Sequence, residues 1–135
     1  MEKIDVELLI DWYVEVQNIV GTLDQIAATY NLNFAAFRIL DQIYQSNSLS
    51  PRDLSEIEKT SPPAVSRKLN LLQVKGYICK RRDDPHDQRL VKLEITTKGK
   101  EAYFAIKESL DAKSIEILSY IKKAEYRSID RKSNI

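Results

Sequence analysis

The stretch TSPPAVSRKLNLLQVKGYI, residues 60–78, places two consecutive prolines at the front of a helical pattern. Ser61 precedes a proline, which favours the extended backbone that an N-cap residue needs. Pro62 suits the first helical position, because the N–H group that proline lacks has no partner there. Pro63 disfavours helical geometry at Pro62, which leaves a start one residue later open. Because Gly76 suits the end of a helix, we predict a short helix that starts abruptly at the prolines.

A second short helix is predicted just before this one. Ser50 is a good N-cap, Pro51 suits the first helical position, and Asp53 favours the first turn, where the helix dipole is positive. Leu54 and Ile57 are its apolar residues. Two short helices joined by a turn of about four residues form a helix-turn-helix arrangement.

The second helix of this pair has one apolar face and one polar face. Val65, Leu69 and Leu72 recur at i, i+4 and i+7, so they share a face that must be buried. The opposite face is small, polar and cationic, although an ordinary solvent-exposed helix has the same character. Arginine can bond guanine bidentately, asparagine can bond adenine, and serine can bond a base or a phosphate. From this segment we predict DNA contacts by Ser61, Pro63, Ser66, Arg67, Lys68 and Asn70.

The residues after the closing glycine predict a β-hairpin. Residues 77–82 and 90–95 have the composition of strands, and the turn-rich residues 83–88 separate them. Thr96 or Thr97 then caps a long last helical region. The hairpin therefore adds a wing to the helix-turn-helix.

Three apolar side chains in or beside this hairpin are predicted to be buried. Leu71 and Val74 are on the outward side of the second helix, and we expect them to pack against the residues that follow. Cys79 lies on the first strand, where we predict a buried, inert thiol rather than a redox sensor.

Two further helices are predicted before the helix-turn-helix. The first runs from Ile4 to about Tyr30 with apolar residues at helical spacing. The second has Asn33 as its N-cap and continues to Tyr44. The predicted fold class is mainly α with a small β-hairpin wing (α+β), and 135 residues suit a single domain.

Charge is distributed unevenly along a chain of net charge +1. Residues 1–58 contain 3 Lys/Arg and 10 Asp/Glu, residues 59–100 contain 11 and 4, and residues 101–135 contain 7 and 6. A basic middle segment is typical of a protein that binds a polyanion, although charge alone leaves an ordinary solvated surface open.

Composition argues against several other classes. No apolar run approaches the roughly 18 residues of a membrane span, and the acidic start differs from a signal peptide, so we predict no membrane partner and a cytoplasmic location. The single cysteine, Cys79, and the single histidine, His86, form neither a disulfide framework nor a zinc cluster. Without a glycine-rich phosphate loop or a Ser-His-Asp order, we predict no enzyme activity, no cofactor and no metal.

The order of helices resembles the MarR family of winged helix-turn-helix regulators, and so does the string LLQVKGYICKRRDDPHDQRLVKLEITTKGK, residues 71–100. The family pattern has a leucine and a glycine closing the recognition helix, then Asp-x-Arg at the wing tip. Alternating apolar residues and Thr-x-x-Gly, which opens the next helix, complete it. In this chain the matching residues are Leu72, Gly76, Asp87, Arg89, Val91, Leu93, Ile95, Thr96 and Gly99.

The resemblance implies a transcriptional regulator, commonly a repressor, that binds a pseudo-palindromic operator in double-stranded DNA as a homodimer. Each recognition helix would enter a major groove and each wing an adjacent minor groove. Arg89 at the hairpin tip suits a narrow minor groove, and Asp87 can orient its guanidinium, although a surface ion pair without function is the alternative. We expect phosphate contacts from Lys80, Arg81, Arg82, Lys92 and Lys98.

The long first and last helices favour a dimer on their own account. A core of this size cannot bury both apolar stripes, which include Trp12 and Ile115. We therefore predict dimerisation helices at about residues 1–30 and 101–135, with the winged helix-turn-helix lobe at about residues 33–100 between them.

Regulators of this kind commonly respond to a small ligand held between the dimer helices and the DNA-binding lobe. Aromatic residues predicted for such a cleft are Trp12, Tyr13, Tyr30, Phe34 and Phe37, together with Tyr44. Aromatic residues at helical spacing are more often part of a core, so both interpretations stay open. The alternative function is a winged-helix protein-interaction module that does not bind nucleic acid.

Overall fold

The computed structural model describes residues 3, 5–46, 49–82, 86 and 91–133, with side chains described as far as residue 125. Its elements in chain order are α1 (Val6–Ala28), α2 (Phe34–Gln45), α3 (Pro51–Glu58), α4 (Pro62–Val74), β1 (Ile78–Arg82), β2 (Val91–Ile95), α5 (Thr97–Ala112) and α6 (Ser114–Ser133). β1 and β2 pair antiparallel, with Ile78 opposite Ile95 and Arg82 opposite Val91. The predicted class, mainly helical with a two-stranded hairpin, is confirmed.

Side-chain caps begin four of these helices where the sequence predicts them. Asn33, Ser50, Ser61 and Thr96 each accept a hydrogen bond from the backbone N–H three residues on, over 2.8–3.3 Å. Asp53 also returns a bond to the Ser50 N–H over 3.0 Å, which completes a capping box. The structure also decides between the alternatives that the sequence left open. α4 begins at Pro62 rather than one residue later, and Thr96 rather than Thr97 caps α5.

The outer helices differ in extent from the prediction. The first helix was expected from Ile4 to about Tyr30, whereas α1 spans Val6–Ala28, because Asp5 in an extended conformation caps its start. The long last helical region divides at Lys113, whose backbone (φ −102°, ψ 14°) departs from helical values. The result is two helices, α5 and α6, in place of one continuous region.

One apolar core joins the end of α1 with α2, α3, α4, α5 and the hairpin. The largest fully buried side chains are Tyr103, Ile39, Leu40, Ile43, Leu54, Leu69, Leu72, Leu93, Ile106 and Val65. The Leu93 N–H donates to the Leu49 carbonyl over 2.8 Å, which ties β2 to the segment before α3. The helix-turn-helix, the wing and the start of α5 are therefore held in one arrangement.

α1 packs against α6, yet both helices expose large apolar side chains. On α1 these are Val6, Leu9, Ile10, Trp12, Tyr13, Val14 and Val20, and on α6 they are Ile115, Leu118 and Ile121. The inward side of α1 includes the buried Glu15 and Ile26. At 100° per residue, the opposite side forms the α1 outer stripe, which we define as Val6, Leu9, Ile10, Tyr13 and Val20.

None of the described helices is both long enough and apolar enough to cross a membrane. In the same part of the chain, no group of three or more His, Cys, Asp or Glu side chains is placed to hold a metal ion.

Candidate nucleic-acid interface

The turn between α3 and α4 is short because α3 ends in a left-handed residue. Lys59 has φ 51° and ψ 44°, and its N–H bonds back to the last turn of α3. Ser61 then returns to an extended conformation (φ −70°, ψ 148°) and starts α4. The chain therefore reverses over three residues, 59–61, which produces the predicted helix-turn-helix.

An ion pair fixes this turn to α2. Glu58, the last residue of α3, has a side chain that is only 8% exposed, and its carboxylate lies 3.2 Å from the Arg38 guanidinium on α2. A second pair, Arg52 with Glu56, lies 3.7 Å apart on the solvent side of α3, and both of its side chains are exposed. Only the first pair connects two elements, so we assign to it the positioning of the turn.

The two faces of α4 have the character that the sequence predicts. Val65, Leu69 and Leu72 are buried. On the opposite side the predicted contact residues are exposed, with Lys68 half-buried at the edge, and α4 carries no carboxylate. The exposed set is Ser61, Pro63, Ser66, Arg67 and Asn70. α4 thus presents hydrogen-bonding groups and a guanidinium on one accessible surface.

The joint between α4 and the wing explains the Thr-x-x-Gly motif. The Thr96 hydroxyl donates to the Gly76 carbonyl over 2.6 Å and accepts from the Gly99 N–H over 3.0 Å. Gly76 has φ 79°, a left-handed conformation that few other residues adopt. A Cβ atom on Gly99 would lie 2.0 Å from the Tyr77 carbonyl oxygen. Glycine at position 99 therefore lets α5 approach the chain at the base of the wing.

Tyr77 connects the same joint to the loop after α1. Its hydroxyl donates to the Tyr30 carbonyl over 3.0 Å. Burial raises the pKa of the Tyr77 phenol, and the neighbouring Tyr30 raises it further. Tyr30 therefore interacts with the winged lobe through its backbone carbonyl.

The wing strands carry the predicted basic residues on both faces. Lys80 lies opposite Leu93 and Arg82 opposite Val91, whereas Arg81 on the other face lies opposite Lys92. Arg81 is ion-paired with Glu94. Lys80, Arg81 and Arg82 are exposed, Lys92 is half-buried, and Lys98 is exposed with its ammonium 5.5 Å from the Tyr77 ring centroid. The predicted wing-tip residues Asp87 and Arg89 lie outside the described residues.

Three predictions about burial in this region are wrong. Leu71 and Val74 were expected to pack against the residues that follow, but Leu71 is 40% and Val74 86% exposed. The chain turns at Gly76 towards the buried side of α4, where Ile78 enters the core, so it leads away from both side chains. Cys79 was expected to be buried, but it is exposed because Ile78 alone among the β1 residues reaches the core.

The aromatic residues predicted for a ligand cleft do not form one cluster. Phe37 is buried and Phe34 partly buried, with their ring centroids 5.5 Å apart, whereas Trp12 and Tyr13 are exposed on α1. Tyr30 is half-buried after the end of α1. A shallow cavity between α1 and α2 is lined by Val20, Leu23, Asp24, Asn33, Phe34, Ala35 and Arg38, so it includes Phe34 from the predicted set.

Sequence reasoning missed Tyr103, which anchors α5 to α2. The ring is buried and lies 4.5 Å from the Tyr44 ring and 5.4 Å from the Phe37 ring, centroid to centroid. Its hydroxyl donates to Asp41 over 2.6 Å. Burial and the Asp41 carboxylate raise the pKa of the Tyr103 phenol to about 12. The i, i+3 spacing from Tyr103 to the buried Ile106 is the signal that could have identified it.

The order of helices, the three-residue turn and the hairpin define a winged helix-turn-helix protein. Residues 30–90 match the sequence model of the MarR family. This segment, 61 of the chain's 135 residues, is similar to that family.

Individual relatives support the same fold. The chain is 28% identical over 103 residues to an uncharacterized HTH-type transcriptional regulator of Bacillus subtilis, YwaE, covering 76% of this chain and 60% of the relative. It thus spans less than two thirds of the length of the curated relatives it matches. It also resembles a mutant of MarR from E. coli complexed with operator DNA, with TM-score 0.69, 20% identity, and 84% and 85% of the two chains covered. The S. aureus MepR–DNA complex is similar with TM-score 0.71 and 18% identity, and the match covers 98% of this chain and 96% of that chain.

Proposed function

We propose that this protein is a transcriptional regulator that binds double-stranded DNA sequence-specifically, as a homodimer on a pseudo-palindromic operator. The observation that carries the proposal is the exposed face of α4, where Arg67, Asn70 and Ser66 lie together without a carboxylate. Both solved structures compared above contain DNA, and in one it is described as operator DNA. In this proposal α4 enters the major groove and the wing reaches the adjacent minor groove.

The first experiment selects bound fragments from genomic DNA and then measures affinity for the recovered site at several salt concentrations. A DNA-binding regulator loses affinity steeply as salt rises. The logarithm of its association constant falls by about 0.9 per phosphate neutralised for each tenfold rise in salt concentration. Failure to enrich any sequence, with little salt dependence, would instead favour a winged-helix module that binds other proteins. The control is an unrelated duplex of the same length and composition.

A second experiment separates base contacts from phosphate contacts. Arg67→Ala should cost about 1–3 kcal/mol per half-site and relax the preference at one base position, because an arginine can bond guanine bidentately. Lys98→Ala should instead weaken all sequences by similar amounts and lower the salt slope. A uniform loss for Arg67→Ala would reassign Arg67 to the phosphate backbone.

At the wing, we propose that Arg89 enters the minor groove and that Asp87 orients it. Arg89→Ala should then weaken binding most on operators with A·T-rich flanks, where the groove is narrow. Asp87→Ala removes a negative charge near phosphate, so electrostatics alone would tighten binding, whereas loss of an orienting partner would weaken it. A double mutant little worse than Arg89→Ala would support the orienting role, and additive losses would contradict it.

Exposed apolar residues on α1 and α6 support the homodimer. The α1 outer stripe and the α6 residues Ile115 and Leu118 present more apolar surface than a monomer commonly exposes. Pairing across a two-fold axis would bury both sets and place two α4 helices for two half-sites about one helical turn apart. Sedimentation at micromolar concentration should show about twice the 15.6 kDa chain mass, and a persistent monomer would contradict the palindromic operator.

The remaining parts of the proposal concern regulation. We propose a cytoplasmic repressor whose DNA binding is released by a small ligand held between α1 and α2, beside Phe34 and Arg38. A ligand screen by thermal shift, followed by operator release with each positive compound, tests this part. Phe34→Ala should abolish such a response while leaving operator affinity unchanged.

A further inference from the structure

Leu71 and Val74 are unusual among the large apolar residues of the winged lobe. Val74 is 86% exposed, although most apolar side chains in this lobe are buried. Leu71, three residues earlier, is 40% exposed. Residues at i and i+3 are neighbours on a helix surface, so the two side chains form one small apolar patch at the end of α4.

This patch continues the exposed polar face of α4. At 100° per residue, Arg67, Asn70, Leu71 and Val74 occupy one side of the helix at i, i+3, i+4 and i+7, opposite the buried Val65. Recognition helices that lie in the major groove can read bases with this spacing. From position 67 to position 74 the helix axis rises about 10 Å, which corresponds to about three base-pair steps.

The surroundings of the patch indicate a polyanion rather than an apolar protein surface. α4 carries no carboxylate, and Arg67, Lys68 and Lys75 lie on the same helix or directly after it. Within the major groove, the one apolar group on a base edge is the C5-methyl group of thymine. Arg67 and Asn70 can bond the hydrogen-bonding edges of bases in the major groove. The apolar side chains beside them can contact a neighbouring thymine methyl group.

We propose that Val74, with Leu71 beside it, contacts thymine C5-methyl groups in the major groove and thereby specifies thymine next to the bases read by Arg67 and Asn70. This inference rests on the proposed DNA-binding function. It adds apolar readout near the C-terminal end of α4 to the hydrogen-bonding readout by Arg67 and Asn70.

The test replaces each thymine of the selected operator in turn by deoxyuridine, which lacks only the methyl group. For the wild-type protein, each replacement at a contacted thymine should weaken binding about threefold to tenfold per half-site, since a buried methyl group contributes about 0.8 kcal/mol or somewhat more. Val74→Ala should weaken binding to the thymine operator by a similar factor. On the deoxyuridine operator, Val74→Ala should cause little further loss, because the contact is already absent.

The matched control is Gln73→Ala, which changes an exposed residue of the same helical turn that lies about 100° away from the patch. It should not alter the effect of deoxyuridine. Val74→Ala should keep the wild-type melting temperature, because the side chain is almost fully exposed.

The outcomes also separate this inference from the proposed function. Specific operator binding that is unaffected by Val74→Ala, or additive losses from Val74→Ala and deoxyuridine, would overturn the thymine contact while leaving the DNA-binding function intact. If the wild-type protein selects no operator at all, the proposed function fails and this inference fails with it.

Discussion

The winged lobe and the outer helices expose their apolar side chains to different extents. Among the described residues of α3, α4 and the hairpin, the large apolar side chains with substantial exposure are Ile57, Leu71 and Val74. α1 and α6 instead expose ten large apolar side chains among the described residues. Because burial of apolar surface drives folding, the lobe derives its stability from contacts within one chain. We propose that the outer helices bury these side chains against a second copy of the chain.

Substitution of two glycines, one in each region, should give the largest difference. Gly99→Ala would place a Cβ atom 2.0 Å from the Tyr77 carbonyl oxygen and 2.8 Å from Ile95 Cγ1, so α5 would have to move. We expect the free energy of unfolding, measured in urea, to fall by about 3 kcal/mol or more. Gly21→Ala in α1 is the control, since its Cβ atom would meet nothing within 4 Å. Gly21→Ala should raise the free energy of unfolding by about 0.5–1 kcal/mol. A similar loss of stability for both variants would contradict the difference in packing between the winged lobe and α1.

A charge in the α1 outer stripe should have the next largest effect. Ile10→Asp would place a carboxylate in the proposed dimer contact, which we expect to weaken the dimer about thirtyfold, or about 2 kcal/mol. A dilution series in sedimentation velocity measures this change. Val74→Asp makes a similar change on the winged lobe, where the side chain is 86% exposed, and it should leave the dimer unaffected. Equal dimer affinities for the two variants would show that the α1 outer stripe is not the contact.

Tyr103→Phe tests the packing of α5 on α2 through a single hydroxyl group. The variant loses the 2.6 Å hydrogen bond to Asp41, and we expect a cost of about 1–2 kcal/mol in the free energy of unfolding. Tyr13→Phe in the exposed part of α1 is the matched control and should change stability by less than about 0.5 kcal/mol. Equal losses would mean that the hydrogen bond to Asp41 does not stabilise the lobe.

The same tyrosine predicts a dependence on pH. Its pKa is raised from 10.0 to about 12, so the folded state holds the phenol proton more tightly than the unfolded state. The resulting stabilisation is complete below pH 10 and is lost as pH rises from there towards 12. Urea denaturation at pH 8, 9, 10 and 11 should therefore show a steeper loss for the wild type than for Tyr103→Phe. Parallel curves would contradict the raised pKa.

The smallest effect is expected from two arginines in ion pairs of different burial. Arg38→Ala removes the partner of Glu58, whose side chain is 8% exposed, and should cost about 1 kcal/mol. Arg52→Ala breaks an exposed pair with Glu56 on a single helix and should cost less than about 0.5 kcal/mol. Thermal denaturation of both variants at low and high salt measures the difference. A larger loss for Arg52→Ala would contradict a positioning role for the Arg38–Glu58 pair.

The parts of the interface that sequence predicted depend on neighbouring residues. Ser61 and Pro62 define the start of α4 through interactions that span no more than four residues. The burial of Val65 and the exposure of Arg67 then follow from helical periodicity. Cys79 could not be placed in the same way. The sequence indicates that Cys79 and Ile78 point to opposite faces of the strand. It does not indicate which face another element covers, and that decides which of the two side chains is buried.

The sequence alone thus determined the order of the elements as far as α5, four of the helix caps and the two faces of α4, because each depends on residues within about two helical turns of one another. Tertiary structure decided which apolar faces are covered within the chain and which remain exposed on α1 and at Val74. It also decided the contact of Gly99 with Tyr77 and the hydrogen bond of Tyr103 to Asp41, which join residues 22 and 62 positions apart. Such contacts arise from the packing of whole elements, which no local pattern of side chains specifies.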